Sequence, residues 1–202
     1  MINPSDDIVA LYRRHALAWI RARGTELKIE RCWLDRFCAL LPSGAYILDI
    51  GCGSGEPIAR YLVERCYGLT GVDSAPEMIA AFRANFADCE AHVRDMRTLD
   101  LNERFDGLLA WDSFFHLSYD DQRSMFPVFA QHAKPNAPLM FTSGPSYGEA
   151  IGTFEGERLY HASLDADEYR ALLAANGFEV VHHVAEDSDC AGHTVWLARK
   201  RA

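Results

Sequence analysis

Short apolar runs alternate along most of this chain with segments in which apolar residues recur every three or four positions. The short runs are bounded mainly by glycine, proline or polar residues and predict buried strands, whereas the periodic segments predict helices that cover them. The predicted strands occupy residues 46–50, 68–73, 90–94, 105–111, 139–143, 178–185 and 194–198. The alternation of strand and helix after residue 45 favours a parallel sheet with helices on both faces.

Both ends of the chain depart from this alternation. Residues 1–44 carry only the helical period and predict two helices, the second running roughly from residue 26 to residue 41 before Pro42 and Gly44. The last two strands have no helix between them, so they should pair as an antiparallel hairpin. The predicted fold class is α/β, a three-layer α/β/α sandwich around a seven-stranded, mostly parallel sheet with an antiparallel C-terminal strand.

We expect a single domain, residues 1–202, made of four consecutive parts. A helical N-terminal cap (1–44) precedes the core of the sheet (45–143), and a final helix with the terminal hairpin (165–202) closes the chain. Residues 144–164 form an insert rich in glycine and aromatic side chains, without a clear helix. An insert of that length in a compact domain is typical of a lid or a binding loop.

The sequence Asp49-x-Gly51-x-Gly53-x-Gly55 joins the first predicted strand to a helix. Glycine permits positive φ angles and close approach of a ligand, and a helix start offers free N–H groups. The spacing does not match the dinucleotide fingerprint, because Glu56 stands where that pattern requires its third glycine, and no Lys-Ser or Lys-Thr pair follows as in a phosphate loop. A carboxylate beside such a turn suits a ligand with an ammonium group.

This motif resembles the first motif of class I S-adenosylmethionine-dependent methyltransferases, and the resemblance covers roughly residues 44–200. It implies the Rossmann-like methyltransferase fold, S-adenosylmethionine as cofactor and S-adenosylhomocysteine as product. Asp49 and the Gly51–Gly53 backbone would hold the amino-acid end of the cofactor. An acid and the next residue after the third strand, Asp95 and Met96, would meet the adenine.

Asp73 ends the second predicted strand, a position from which a carboxylate can accept hydrogen bonds from ribose hydroxyls. The following Ser74 and Glu77 form a capping box for the next helix. In related small methyltransferases a helical prefix closes over the cofactor, and Tyr12, Trp19 and Arg23 share one side of the first helix here; a core role for the two aromatics is the alternative. The residues expected to bind the cofactor are Tyr12, Trp19, Arg23, Asp49, Gly51, Cys52, Gly53, Asp73, Ser74, Met78, Asp95, Met96, Trp111, Asp112 and Phe115.

The fourth predicted strand runs into Trp111 and a cluster of aromatic residues. Ligands of open α/β sheets bind beyond the carboxyl ends of the strands, where the strand order reverses, so this cluster should face the chemistry. Aromatic faces stabilise a nearby cation such as a sulfonium. His116 is the first candidate base, with a capping or core role as the alternative, and Tyr160 and His161 in the insert are further catalytic candidates.

The composition argues against some classes of binding partner. The net charge of −9 disfavours nucleic acid and anionic membrane surfaces, and no apolar run is long enough to span a bilayer. Six cysteines without a Cys-x-x-Cys pair or a signal peptide suggest free thiols in the cytoplasm. No metal is expected: the spacing of Cys190 and His193 could suit a metal ligand pair, but an isolated pair is weak evidence beside an ordinary loop position.

The most favoured function is methyl transfer to an oxygen or nitrogen atom of a small-molecule acceptor, by a monomer or homodimer. Segment 111–114 lacks the prolines found where enzymes that methylate DNA bases or protein glutamine bind their acceptors, which favours a small molecule. The alternatives are a dehydrogenase of related topology and a non-catalytic S-adenosylmethionine-binding protein. NADH binding would favour the first, and failure to transfer a methyl group to any acceptor would favour the second.

Overall fold

The computed structural model describes residues 4–202, with side chains from Asp7 onward. The strands are β1 (Tyr46–Ile50), β2 (Gly68–Asp73), β3 (Glu90–Val93), β4 (Gly107–Ala110), β5 (Pro138–Ser143), β6 (Gly148–Phe154), β7 (Glu157–Ser163), β8 (Phe178–Asp187) and β9 (His193–Lys200). The helices are α1 (Pro4–Arg23), α2 (Arg31–Cys38), α3 (Ile58–Val63), α4 (Pro76–Asn85), α5 (Tyr119–His132) and α6 (Ala166–Ala175). None of these helices combines the length and the apolar character needed to cross a lipid bilayer.

Seven strands form one sheet in the order β3-β2-β1-β4-β5-β9-β8. The pairings from β3 through β5 are parallel, and β9 runs antiparallel to both of its neighbours. The predicted seven-stranded, mostly parallel sheet with one antiparallel C-terminal strand is therefore confirmed. The strand order reverses between β1 and β4, which places a binding crevice at their carboxyl ends.

The alternation of side chains along β1 divides the core between the two faces of the sheet. Leu48 and Ile50 join one hydrophobic cluster, while Ile47 joins the other. This is the period of two that a pleated strand imposes. The first cluster is strongly aromatic, with Phe114 in ring contact with Phe126, Phe129, Phe141 and Tyr169. Packing of these rings fixes the loop after β4, from which several site residues project.

Helix α2 is shorter than the predicted range of 26–41. The Glu30 side chain accepts hydrogen bonds from the backbone N–H groups of Lys28 (3.0 Å) and Ile29 (3.1 Å), which ties the residues before α2 into a turn. Leu40 and Leu41 follow α2 in tight turns closed by bonds to Phe37 and Cys38. The apolar periodicity continues through residues 26–41, but local hydrogen bonds before and after α2 restrict the helix to Arg31–Cys38.

The insert contains a β-hairpin rather than an irregular loop. Strands β6 and β7 pair antiparallel in continuous register, and the two residues between them, Glu155 (φ 51°) and Gly156 (φ 80°), both have positive φ. That is the backbone pattern of the two-residue turn that matches strand twist. The Glu-Gly pair between two alternating segments was the signal for it in the sequence.

Helix α1 lies against both this hairpin and α4. Ile8 packs with Tyr160 and Ala162 of β7, and Ala16 packs with Ala75 and Met78. Glu157 adds an ion pair with Arg14 and a contact of 2.6 Å to Nε2 of His15. The helix therefore covers the carboxyl edge of the sheet, where the crevice opens.

Candidate active site

One cavity lies at the carboxyl ends of β1, β2 and β4 beneath α1. Its empty volume is about 1040 Å³, a figure that includes space open to solvent. Fifteen of the eighteen predicted site residues line it: Tyr12, Trp19, Arg23, Asp49, Gly51, Cys52, Gly53, Asp73, Ser74, Met78, Asp95, Met96, Trp111, Asp112 and His116. The shared side of α1 predicted for Tyr12, Trp19 and Arg23 is the side that faces the cavity.

The glycine turn brings two loops closer than side chains would allow. A Cβ atom on Gly51 (φ +81°) would lie 2.2 Å from Cβ of Ser113, so only glycine lets the loop after β4 pack here. Gly53 has φ +54° and open space where its Cβ would be. Its bare backbone therefore forms part of the cavity wall.

Asp73 links the glycine turn to the start of α4. Its Oδ2 accepts a hydrogen bond from the Gly53 N–H at 3.0 Å, and its Oδ1 accepts one from Ala75 at 2.8 Å. Ala75 is the cap residue of α4 and has no side-chain bond, so the predicted capping box of Ser74 and Glu77 was wrong. Burial raises the pKa of Asp73, and these backbone bonds oppose that rise.

Asp49 is a buried acid at the centre of the site, with 4% of its surface exposed. Burial raises its pKa to about 7, the nearby charge of Asp73 adds to the rise, and Arg23 opposes it. Arg23 is held by an ion pair with the buried Glu30. A cationic ligand group here would favour the ionised form of Asp49.

Asp95 and Met96 lie in the loop after β3. The Asp95 side chain accepts bonds from the backbone N–H (2.9 Å) and Nε (3.0 Å) of Arg97. Burial would raise the pKa of Asp95, but the Arg97 bonds outweigh it and hold the pKa below its usual range. The predicted contact of Asp95 with adenine would therefore be made by a carboxylate already fixed in orientation.

His116 is held between two partners. Its Nδ1 lies 2.8 Å from the Tyr160 carbonyl oxygen, which can only accept, so Nδ1 carries the proton. Its Nε2 lies 3.0 Å from the Tyr12 hydroxyl and accepts from it. Burial lowers the pKa of His116 to about 4, an effect that the Tyr160 carbonyl and Asp112 oppose and His161 reinforces.

The other three predicted site residues, Phe115, Tyr160 and His161, do not line the cavity. The His161 ring packs against those of Phe115 (5.0 Å between centroids) and His116 (4.8 Å), and the Tyr160 hydroxyl donates to Glu149 at 2.8 Å. The His161 ring and the Tyr160 carbonyl oxygen both contact the His116 ring. Their catalytic roles stay predictions.

Comparison with known proteins finds this chain similar to methyltransferases. Residues 47–136 match the family described as "Methyltransferase domain". An O-methyltransferase of Pyrenophora dematioidea is 28% identical over 79% of this chain and 64% of its own length. Trans-aconitate 2-methyltransferase of Escherichia coli (strain 55989 / EAEC) is 32% identical over 72% of this chain and 56% of its own length.

A solved structure shares the whole architecture. The S-adenosylmethionine-bound amino pentose methyltransferase of Micromonospora echinaspora superposes with a TM-score of 0.71 at 22% identity, covering 91% of this chain and 95% of that one. Residues 47–136 of this chain are thus similar to a methyltransferase domain, and its fold is shared by the S-adenosylmethionine-bound enzyme. The chain spans less than two thirds of the length of the two curated relatives named above.

Two features of the site were missed in the sequence. His193 is paired with Asp112, with 3.2 Å between its Nε2 and Oδ1. Among the described side chains, residues 7–202, no cluster of three or more metal-binding groups occurs. Glu56 also lines the cavity, with one buried carboxylate oxygen, Oε2, that has no hydrogen-bond partner. Because β9 lies antiparallel beside β5, His193 at the start of β9 lies at the carboxyl edge of the sheet. The sequence predicts this position of His193 once that strand order is assumed.

Replacing Tyr12 by phenylalanine should lower the free energy of unfolding by about 0.5–1.5 kcal/mol, because the hydrogen bond between the Tyr12 hydroxyl and Nε2 of His116 is lost. Urea denaturation followed by circular dichroism measures this loss. Tyr147→Phe is the matched control, since Tyr147 is 56% exposed and water can replace its hydroxyl. Equal stability of the Tyr12→Phe and Tyr147→Phe proteins would contradict the assignment of the Tyr12–His116 bond.

Proposed function

We propose that this chain transfers the methyl group of S-adenosylmethionine to an oxygen or nitrogen atom of a small molecule. One observation carries the proposal: a single cavity joins the glycine turn to carboxylates at the ends of neighbouring strands, beneath aromatic and basic side chains of α1. Each group has the chemistry that one part of the cofactor requires. The relatives named above, a Pyrenophora dematioidea O-methyltransferase and an amino pentose methyltransferase, support both oxygen and nitrogen as acceptor atoms.

The residues present fit the cofactor. Asp49 and Arg23 offer opposite charges for the ammonium and carboxylate of its amino-acid end, and Gly53 leaves room for close approach. The Asp73 carboxylate stands at the end of β2, where it would meet the ribose hydroxyls. Asp95, with Met96 beside it, would meet the adenine.

The protein's contribution to such a reaction is mainly position and exclusion of water. When bound, S-adenosylmethionine supplies a methyl group already activated by the positive charge on its sulfur. Tyr12 and Trp19 of α1 close the cavity above, and Trp111 closes it beside β4. Holding an acceptor in line within such a pocket replaces a bimolecular encounter by an oriented one.

We also propose the class of partner, the cellular location and the oligomeric state. A small-molecule acceptor, rather than nucleic acid or a membrane, suits the net charge of −9. All six cysteines are free thiols, which suits the cytoplasm. We expect a monomer or a homodimer.

Two measurements on one protein preparation test the proposal. Calorimetric titration should give saturable binding of S-adenosylhomocysteine, and S-adenosylmethionine with a labelled methyl group should transfer label to an acceptor in a small-molecule panel. Absence of binding would refute the proposal. Binding without transfer to any acceptor would favour a non-catalytic cofactor-binding protein, and saturable NADH binding would favour the dehydrogenase.

A further inference from the structure

We propose that the Asp112 carboxylate, held in place by His193 and Thr142, recognises an amine acceptor, so that the methyl group goes to nitrogen. This inference rests on the proposed methyltransferase function and narrows it to one class of substrate. His193 would be a positioning residue, acting through Asp112.

The backbone and side chain of Asp112 are both fixed. Its φ of +47° lies in the left-handed region, which Asn and Asp tolerate better than most residues. Its N–H donates to Oγ1 of Thr142 at 2.9 Å, and that hydroxyl lies 3.4 Å from Oδ1. Nε2 of His193 meets the same Oδ1 at 3.2 Å. No described residue makes a hydrogen bond or ion pair with Oδ2, so this second oxygen is available to a ligand in the cavity that Asp112 lines.

The partners of His193 determine its protonation. Its Nδ1 faces the Cys190 carbonyl oxygen at 2.8 Å and its Nε2 faces a carboxylate, so both ring nitrogens meet acceptors. A ring that donates from both nitrogens is an imidazolium. The bond to Asp112 raises the pKa of His193, and burial opposes the rise. His193 thus holds the Asp112 carboxylate in one orientation.

Asp112 lies near Tyr12 and His116 rather than only at the amino-acid end of the cavity. After burial, the largest cause that raises the pKa of Tyr12 is the charge of Asp112. The same charge opposes the lowered pKa values of His116 and His161. Ile8, Val9 and Leu117 add apolar surface to the lining of the cavity. Among the described side chains, an acceptor between Asp112, Tyr12 and His116 would meet the Asp112 carboxylate beside two neutral rings.

An alcohol or phenol acceptor needs a base, and this region offers a poor one. The only lone pair on the His116 ring, at Nε2, accepts from Tyr12, and its pKa of about 4 makes the ring a weak base at neutral pH. A carboxylate paired with an imidazolium is a weak base as well. An amine that has released its ammonium proton to solvent before binding needs no base, because its lone pair is then free to attack.

A carboxylate acceptor would place a second negative charge beside Asp112. Among the described residues three arginines line the cavity: Arg23 is paired with Glu30 and is assigned to the carboxylate of the cofactor, Arg97 is paired with Asp95, and Arg94 donates to the neutral Val93 carbonyl. No lysine lines the cavity among the described residues, and residues 1–6 contain no lysine or arginine. His193 offsets part of the charge of Asp112, but Oδ2 is an acceptor and offers a carboxylate no hydrogen-bond donor.

The transfer step balances with an amine. The nitrogen lone pair forms the new bond to the methyl carbon, and the electrons of the broken carbon–sulfur bond remain on sulfur, which becomes neutral. The positive charge passes to nitrogen as a substituted ammonium, which loses a proton to solvent after release. Asp112 would accept an N–H bond before transfer and stabilise the charge that develops on nitrogen.

The test offers matched acceptors and a trideuteromethyl donor. Benzylamine, benzyl alcohol and benzoate form one set, glucosamine, glucose and glucuronate a second, and a protein-free extract of small metabolites widens the search. Mass spectrometry identifies labelled products. Label on amines alone supports the inference. Label on alcohols or carboxylates overturns it and leaves the proposed function standing. Loss of S-adenosylhomocysteine binding, or binding without any labelled product, would instead refute the proposed function, and the inference with it.

Variants separate recognition from folding. Asp112→Asn keeps the shape and tolerates the left-handed backbone. If Asp112 meets the acceptor rather than the cofactor, to which the sequence assigned it, this variant should raise the KM for the amine about 10- to 50-fold while S-adenosylhomocysteine affinity changes less than about threefold. His193→Ala should raise the same KM, and His193→Gln, which keeps a side-chain donor, should recover part of the loss. The exposed Asp88→Asn is the control. An unchanged amine KM in Asp112→Asn, or no recovery in His193→Gln, would overturn the corresponding role.

Discussion

Replacing Asp73 with alanine should weaken the binding of S-adenosylhomocysteine at least 100-fold. The carboxylate accepts backbone bonds from Gly53 and Ala75 and is the predicted partner of the ribose. Hydrogen bonds to charged groups contribute ~1.5–3 kcal/mol each, so losing two or three of them accounts for an effect of this size. Because Gly53 forms the cavity wall, the substitution disturbs the glycine turn as well as the direct contact. Calorimetry of the purified variant measures the affinity.

Asp88→Ala is the control for Asp73→Ala, because it removes the same charge from an exposed position. It should leave the affinity unchanged. The Asp73→Ala protein should also unfold at a lower urea concentration, since the Gly53 N–H and the start of α4 lose a partner. If the Asp73→Ala protein is less stable but binds S-adenosylhomocysteine as tightly as the parent protein, Asp73 stabilises the fold and is no part of the ligand site.

Donor-product affinity should fall by nearly 100-fold between about pH 8 and about pH 5, because the site requires an ionised Asp49 whose pKa in the free protein is about 7. Below that pKa each pH unit removes about tenfold of the ionised form. The ammonium of S-adenosylhomocysteine stays protonated across this range, so the change belongs to the protein. Calorimetry at a series of pH values gives the profile.

Asp49→Asn should bind weakly at every pH and should abolish this profile, because asparagine has no charge to lose. Its effect on stability has the opposite sign. The folded state holds the proton of Asp49 up to about pH 7, whereas the unfolded chain releases it near the ordinary pKa of 3.8. The contribution of protonated Asp49 to the free energy of unfolding is therefore fully present below about pH 3.8. It is lost as the pH rises to about 7, by on the order of a few kcal/mol.

The Asp49→Asn protein should consequently unfold at a higher temperature than the parent at about pH 8 and show no such advantage at about pH 4. Scanning calorimetry at both pH values measures this. A flat affinity profile in the parent protein, or a variant no more stable at the higher pH, would contradict the assignment of a raised pKa to Asp49. Together, the affinity profile and the scanning calorimetry test whether Asp49 lowers the stability of the fold while it contributes to cofactor binding.

Most of the site was predictable because its parts are local features at strand ends. Asp49, Gly51 and Gly53 belong to one strand-to-helix turn, and Asp73 ends the next strand. Parallel strands bring such ends together at one edge of the sheet, so a correct fold class brings the residues together as well. The hairpin at residues 148–163 was missed because its two-residue turn is Glu-Gly rather than the more familiar Asn-Gly or Asp-Gly.

The sequence by itself determined the order of strands and helices, the glycine turn and the acids around it, since periodicity and turn chemistry act over a few neighbouring residues. Only the tertiary structure decided what surrounds His116 and Asp112. His116 is held by Tyr12, 104 positions away, and by the Tyr160 carbonyl, 44 positions away. Asp112, just after β4, meets His193 at the start of β9, with β5 between those two strands. Such contacts depend on burial and orientation after the chain has packed, and no local pattern of residues encodes either.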